Sequence, residues 1–230
     1  MTTPKAVVLL SGGLDSTTCL TLAARDYDCY PITFAYGQRH NLELGKASQV
    51  AQYLGIDPAR HLIVDLGRTL RGSALTGDAE VPTGRDPAEI GSDIPVTYVP
   101  ARNLVFLSLA ASYAEAVGAG DIFIGVNALD YSGYPDCRPE FIEAFEGALR
   151  AGTRAGVEGR PIRVQTPLLH RTKAEIIRLG HELGAPYHLT YSCYLGTEPS
   201  CGSCDACILR RQGFREAGLQ DPIAYRGGSA

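Results

Sequence analysis

The stretch Ala6-Val7-Val8-Leu9-Leu10-Ser11-Gly12-Gly13-Leu14-Asp15-Ser16 decides the fold. Its first five residues form a short apolar run that reads as a buried strand. Two glycines follow at once, and Ser16 to Arg25 then reads as a helix. A strand that turns through glycines straight into a helix start is a place for an anion. The glycines let the backbone turn tightly and approach a ligand. Free N–H groups and the positive end of the helix then face it. Ser11 and Ser16 add hydroxyl donors, and Asp15 is suited to a Mg²⁺ that travels with phosphate. The loop lacks a Gly-Lys-Ser/Thr ending and is not GxGxxG, so neither the common nucleoside-triphosphatase loop nor a dinucleotide site fits. A plain glycine turn with Ser or Asp capping the helix is the alternative reading.

Working outward, the same alternation continues. Tyr30 to Phe34, His61 to Val64 and Asp121 to Val126 read as further strands. Leu44, Ala47, Val50, Ala51 and Leu54 lie on one face of a helix that stops at Gly55. Asn103 to Val117, Phe141 to Leu149 and Ala174 to Leu183 are also helical; the first is so apolar that both its faces should be covered. Strand–helix alternation implies right-handed crossovers and an α/β, Rossmann-like parallel sheet with helices on both faces. Two segments break the rhythm. Arg71 to Pro100 is long and aperiodic, as a lid, binding loop or disordered insert would be. Ser192 to Asp205 is the other.

The chain has 230 residues, which suits one large domain or one domain with a small appendage. Its net charge is −4, shared evenly between the halves, so neither half is a basic surface for a nucleic-acid backbone. Met1 to Lys5 is polar, Ala6 to Leu10 is too short for a signal-peptide core, and no run is long enough to span a bilayer. A cytoplasmic protein with reduced thiols is expected. Cys193, Cys201, Cys204 and Cys207 therefore read as a metal site. Their C-x7-C-x2-C-x2-C spacing suits a closed tetrahedral Zn²⁺ with a structural role; an Fe–S cluster would use the same ligands, and four unligated thiols are the plain alternative. Cys19 and Cys29 read as small core residues, and Cys137 is isolated. The five His are scattered and none is assigned to a metal.

In a parallel sheet the ligand lies beyond the carboxyl ends of the strands. Tyr36-Gly37-Gln38-Arg39-His40, then Arg102 and Asn103, then the loop Asn127 to Arg138 should all face that cleft. In the last loop Tyr131 and Tyr134 suit stacking on a flat heterocycle, and Asp130 or Asp136 suits an N–H edge, although both Asp also suit a solvated turn. Seven basic residues lie between Arg150 and Arg178 against Glu158 and Glu175, mostly a solvated face. Lys173 differs: it follows the apparent N-cap Thr172, where a cation opposes the helix dipole unless a ligand phosphate is near.

These motifs taken in order resemble one family. SGGLDS at Ser11–Ser16 is similar to the PP-loop of the ATP pyrophosphatase superfamily. With YGQRH at Tyr36–His40, VPARN at Val99–Asn103, DYSGYPDCRPEF at Asp130–Phe141, TPLL and TKAEI within Thr166–Ile176, and the four Cys, the chain resembles the 7-cyano-7-deazaguanine synthases of queuosine biosynthesis. The resemblance implies a PP-loop nucleotide-binding domain over 1–188 and a zinc-binding segment over 189–230. It implies ATP with Mg²⁺ held by Leu10, Ser11, Gly12, Gly13, Leu14, Asp15, Ser16 and Thr17. Ser11, Asp15, Ser16 and Lys173 become the candidate catalytic residues, and Tyr131, Tyr134, Asp136 and Arg138 the base pocket. The implied chemistry is a carbon–nitrogen ligase reaction of 7-carboxy-7-deazaguanine, ammonia and ATP through an adenylated carboxylate and an amide, with a homodimer as the implied assembly and neither nucleic acid nor membrane as partner. Amidotransferase-type synthetases of GMP, NAD or asparagine fit less well, since position 2 is Thr2 and no room is left for a glutaminase. A tRNA thiolase would need a basic surface and a catalytic Cys pair. A non-enzymatic nucleotide sensor with a zinc module is the remaining alternative.

Overall fold

A computed structural model describes residues 2–38, 42–86, 90, 94–127 and 134–227. Strand β1 (Lys5–Leu9) leads into α1 (Leu14–Ala23), β2 (Asp28–Ala35), α2 (Leu42–Tyr53) and β3 (Leu62–Asp65). After the long connection come α3 (Arg102–Val117), β4 (Asp121–Phe123), α4 (Pro139–Gly152), α5 (Arg154–Val157), β5 (Arg163–Gln165), α6 (Lys173–Glu182) and α7 (Asp205–Ala217). The five strands are parallel in the order β3-β2-β1-β4-β5, so the chain starts at the sheet centre and winds outward both ways. The reversal of direction at β1 and β4 opens a crevice beyond their carboxyl ends.

Period-2 alternation along β1 builds both layers of the core. Ala6, Val8 and Leu10 pack with Leu20 of α1 and Ala47, Val50 and Ala51 of α2. Val7 and Leu9 point the other way, to Leu107, Ala110, Ala111 and Ala114 of α3 and to Phe145 and Leu149 of α4. A third cluster joins Leu14 and Cys19 of α1 to Ile176 and Ile177 of α6 and Phe214 of α7. Thr172 caps α6 through a capping box with Glu175, which fixes where that helix begins.

Several expectations need correction. α3 is not covered on both faces: Leu104 is 45% exposed and Ser108 is exposed, because its buried face is built largely from Ala110, Ala111 and Ala114. α1 starts two residues earlier than read, at Leu14, with Gly13 as N-cap. β4 ends at Phe123, and Ile124 to Val126 run on as irregular buried chain into the crevice. The long connection docks on the C-terminal segment: the Gly84 N–H donates to the Ser203 carbonyl (2.8 Å), and Arg85 Nε donates to Asp205 Oδ1 (3.0 Å). Among the described residues no helix is long and apolar enough to cross a membrane.

Candidate active site

The phosphate loop closes on itself. Ser11 Oγ and Ser16 Oγ lie 3.0 Å apart, the Ser11 N–H donates to Ser16 Oγ (3.1 Å), and Ser16 Oγ donates to the Gly13 carbonyl (3.1 Å). No side chain caps α1, so its first-turn N–H groups are left for another acceptor. Gly12 is required twice over. Its φ is +82°, and a Cβ there would lie 2.5 Å from the Glu43 carbonyl oxygen and 2.7 Å from the Ala47 nitrogen. The N-terminal end of α2 therefore rests against the loop. On the other side a Cβ on Gly125 would come within 3.1 Å of the Asp15 backbone, so β4's exit is equally close.

A cavity of about 260 Å³ opens from this loop. Ser11, Gly13, Asp15, Ser16, Lys173, Arg102, Asn103, Tyr134 and Cys137 line it. Phe34, Phe106 and Ile124 add apolar wall, with the Phe34 and Phe106 rings stacked at 4.1 Å. A lining of this mixed character suits a ligand with both a charged tail and a flat ring.

Lys173 is buried, and its Nζ donates to both carboxylate oxygens of Asp15 (2.8 and 2.9 Å). The cation that opposes the α6 dipole is thus answered by Asp15, 158 residues away in sequence. Of the base-pocket candidates, Tyr134 reaches the cavity while its hydroxyl meets Thr97 Oγ1 at 2.8 Å. Asp136 is buried just behind the wall. Its Oδ2 accepts the Asn103 N–H (2.9 Å), and its Oδ1 has no hydrogen-bond partner among the described residues. Arg138 is exposed and does not line the cavity. Tyr131 and Asp130 lie outside the described residues, as do Arg39 and His40. Leu10 and Leu14 are cavity wall, whereas Thr17 is fully buried behind it.

Four polar side chains at the cavity stand out that the sequence reading gave no role. Glu43 is the first; burial raises its carboxyl to about 7, with Arg102 opposing and Cys193 adding to the rise. Cys137 is the second: burial, then Asp136, push its thiol to about 12, so it remains a neutral acceptor for Asn103 Nδ2 (3.3 Å) rather than a nucleophile. Tyr191 and Arg210 are the others, both brought from the C-terminal segment. Arg102 carries its charge into this wall. Burial works against it, but Tyr36, Tyr134, Cys137 and Asp136 outweigh that and hold it firmly protonated. It is aimed by Ala101, whose left-handed backbone (φ 54°) is the single non-glycine positive φ among the described residues.

The four Cys converge. Their sulfurs all lie within 4.8 Å of one another, with Cys201 Sγ and Cys207 Sγ 3.9 Å apart. Bonds of about 2.3 Å to a tetrahedral ion place sulfurs about 3.8 Å apart, so the donor set fits Zn²⁺. Backbone N–H groups of Cys201, Ser203 and Cys204 point at Cys193 and Cys201 sulfurs (3.3–3.4 Å), as thiolates require. Hydrogen bonds from Cys204 and Cys207 drive the Cys193 thiol down and their own up, a frustration that a bound cation removes.

Comparison with known proteins agrees with this geometry. Residues 5–218 match the family "Queuosine biosynthesis protein QueC". The curated 7-cyano-7-deazaguanine synthase of Syntrophotalea carbinolica is 59% identical over 226 residues, covering 96% of each chain, and that of Solidesulfovibrio magneticus is 56% identical over 230 residues with the same coverage. Among solved structures, the U34-tRNA thiolase NcsA from Methanococcus maripaludis with its [4Fe-4S] cluster shares the fold at 16% identity and a TM-score of 0.50, over 98% of this chain and 75% of that one. An enzyme's crevice, a PP-loop at its floor and four converging thiols are what such relatives lead one to look for, and the chain belongs to the QueC family of queuosine biosynthesis proteins.

Proposed function

We propose that the chain is an ATP-dependent carbon–nitrogen ligase that turns 7-carboxy-7-deazaguanine and ammonia into 7-cyano-7-deazaguanine. One observation carries this reading: a single cavity is lined both by the Ser11 to Ser16 loop and by Arg102, with aromatic wall from Phe34, Phe106 and Tyr134. ATP lies with its β,γ-phosphates on Ser11 to Ser16, where uncapped N–H groups and hydroxyls meet developing negative charge. Arg102 holds the substrate carboxylate beside the α-phosphate, a charge-assisted pairing in a site that excludes water. Tyr134, which lines the cavity, packs beside the ring of the base, and Asp136 behind it accepts the Asn103 N–H and holds that wall in place. Adenylation gives the carboxylate a leaving group; ammonia displaces AMP; a second activation, of the amide oxygen, allows the oxygen to leave. Positioning supplies much of the rate.

Asp15 and Lys173 act as a pair. Asp15 would hold a Mg²⁺ carried by the phosphates, which would supply positive charge there, and Lys173, otherwise paired with Asp15, would then donate to a phosphate oxygen. We assign residues 189–230 as a zinc-binding segment with a structural ion, in a cytoplasmic homodimer whose partners are small molecules. Mass spectrometry of the products with ATP, ammonia and the acid tests the reading. A species equal to the acid plus ammonia less two waters supports it; unchanged acid, or a product that requires tRNA, refutes it.

A further inference from the structure

Each activation in the proposed reaction ends with a nitrogen that must lose a proton. When ammonia attacks the adenylated carboxyl, its lone pair forms the C–N bond, the C–O bond to AMP breaks with its electron pair, and one N–H proton has to go. On activation of the amide oxygen one of the two N–H protons leaves to give an imidate; as that collapses the last N–H proton leaves, its electron pair becomes the third C–N bond, and the oxygen departs on AMP. No oxidant or reductant enters; what is needed is a proton acceptor at one place, returned to its basic form between uses, as three protons leave the nitrogen in all.

Among the described residues the cavity is lined by two carboxylates and no histidine. Asp15 has both oxygens on Lys173. The other is Glu43, in the first turn of α2, whose carbonyl abuts Gly12 of the phosphate loop. It lines the same cavity as the Ser11 to Ser16 loop and Arg102, and the Arg102 charge acts on its carboxyl. Resting on the reaction proposed above, we infer that Glu43 is the general base that takes the nitrogen's proton in both the amide-forming and the nitrile-forming step.

The surroundings agree. The groups that face Glu43 are Arg102 of α3, Tyr36 after β2, and Tyr191 and Cys193 of the C-terminal segment. Its carboxyl, raised to about 7 chiefly by burial, is poised where a base accepts a proton readily and returns it to solvent between the two steps. Tyr36 and Tyr191 are pushed up by burial and are poor bases.

The test separates adenylation from nitrogen chemistry. Acid-dependent exchange of labelled pyrophosphate into ATP reads the first; amide and nitrile formation read the second. Glu43→Gln is expected to lose product formation about 10²-fold or more relative to its own exchange rate. At fixed free ammonia the wild-type rate should fall about tenfold per pH unit below about pH 7, and E43Q should lose that limb. If E43Q does not fold, Glu43→Asp carries the test: it should keep the limb while product formation falls more than exchange. Product formation and exchange reduced in equal proportion, in either variant, overturns the inference, as does a wild-type profile flat through pH 7. Wild-type protein that neither exchanges nor makes nitrile refutes the parent reading instead.

Discussion

Arg210 gives the sharpest test of how the C-terminal segment holds the cavity. It is 2% exposed, yet it is an arginine on a helix face where α7 otherwise buries Ala206, Cys207, Gly213 and Phe214. Nε and Nη2 donate to Asp221 Oδ2 and Oδ1 (2.8 and 3.0 Å), Nη1 to Thr190 Oγ1 (2.7 Å) and to Ser192 Oγ (3.3 Å), and Nη2 to the Tyr187 carbonyl (3.3 Å). Arg210→Met keeps much of the volume and removes every donor. Breaking a buried pair on one side costs about 3–5 kcal/mol, because the survivor is left desolvated. Here Asp221 keeps the Tyr225 hydroxyl (2.6 Å) and the Ile223 N–H (3.2 Å), which places the loss near the lower figure, about 3 kcal/mol. Adding Asp221→Asn removes the stranded charge, keeps Oδ1 as acceptor for the Ile223 N–H and lets the new amide N–H donate to the Tyr225 hydroxyl, so the double variant should regain about 1–2 kcal/mol. Urea unfolding at one fixed free zinc concentration measures both, since metal linkage otherwise distorts the comparison. An R210M loss below about 1 kcal/mol, or a double variant no better than R210M, refutes the reasoning that this pair is a buried, mutually dependent one.

Other outcomes follow from the same geometry. Gly12→Ala pays the left-handed cost of about 1–2 kcal/mol and also drives a methyl into backbone of α2, so melting should show a loss of at least about 2 kcal/mol and pyrophosphate exchange a raised KM for ATP. Glu43 holds its proton to about pH 7 when folded and to about 4.5 when unfolded; the folded state binds more protons across that window, so wild-type stability falls as pH rises through it. Glu43→Gln should therefore be more stable than wild type at pH 8 by about 3 kcal/mol at most, with the gap closed below pH 4 by urea titration; a pH-independent gap contradicts the burial argument. Cys204→Ser should lower bound zinc from one per chain to a small fraction by elemental analysis, lower the Tm, and weaken nucleotide binding at the same time.

What the sequence made legible was whatever rested on strong local signals. The apolar run into Ser11-Gly12-Gly13 reads as a strand end followed by a helix start, and both are present as β1 and α1. The C-x2-C-x2-C spacing likewise needed no tertiary information to place thiols together. β5 was not legible, since Arg163-Val164-Gln165 is three residues with polar ends and becomes a strand only by pairing with β4. α7 was hidden for a related reason: its buried positions hold Arg210 and Gly213, so apolar periodicity is broken where the helix packs closest. A Cβ on Gly213 would meet the Lys173 stem at 2.4 Å, which explains the glycine by contact rather than by propensity. Glu43 was invisible because it neighbours Leu44 on a helix whose apolar face was assigned to Ala47, Val50 and Ala51, and an acidic first-turn residue is the ordinary complement of a helix dipole. Only the contact of α2 with Gly12 turns that residue toward chemistry.

The same contacts explain why a reaction whose bond changes need no zinc would sit beside a four-thiolate knot. The phosphate loop bonds mostly to itself, and one bond that ties it to the rest of the molecule is the Tyr191 N–H to the Gly12 carbonyl, at 2.9 Å. Tyr191 lies two residues before Cys193, and Thr190 and Ser192 on either side of it both bond to Arg210 of α7, the helix that carries Cys207 and follows directly on Cys204. Segment 190–193 is thus held at one end by the thiol cluster and along its length by α7, and it holds Gly12 in turn. Between Cys193 and Cys204 the chain forms neither helix nor strand, so ordering it costs about 1–2 kcal/mol per residue with little burial in return. A structural zinc ion supplies free energy of that size, on the order of 10 kcal/mol. On the proposed reading, with phosphate on the loop and an ion on the thiols, the coupling runs both ways: the ion that orders the strap strengthens the loop's hold on phosphate, and phosphate on the loop slows the ion's loss.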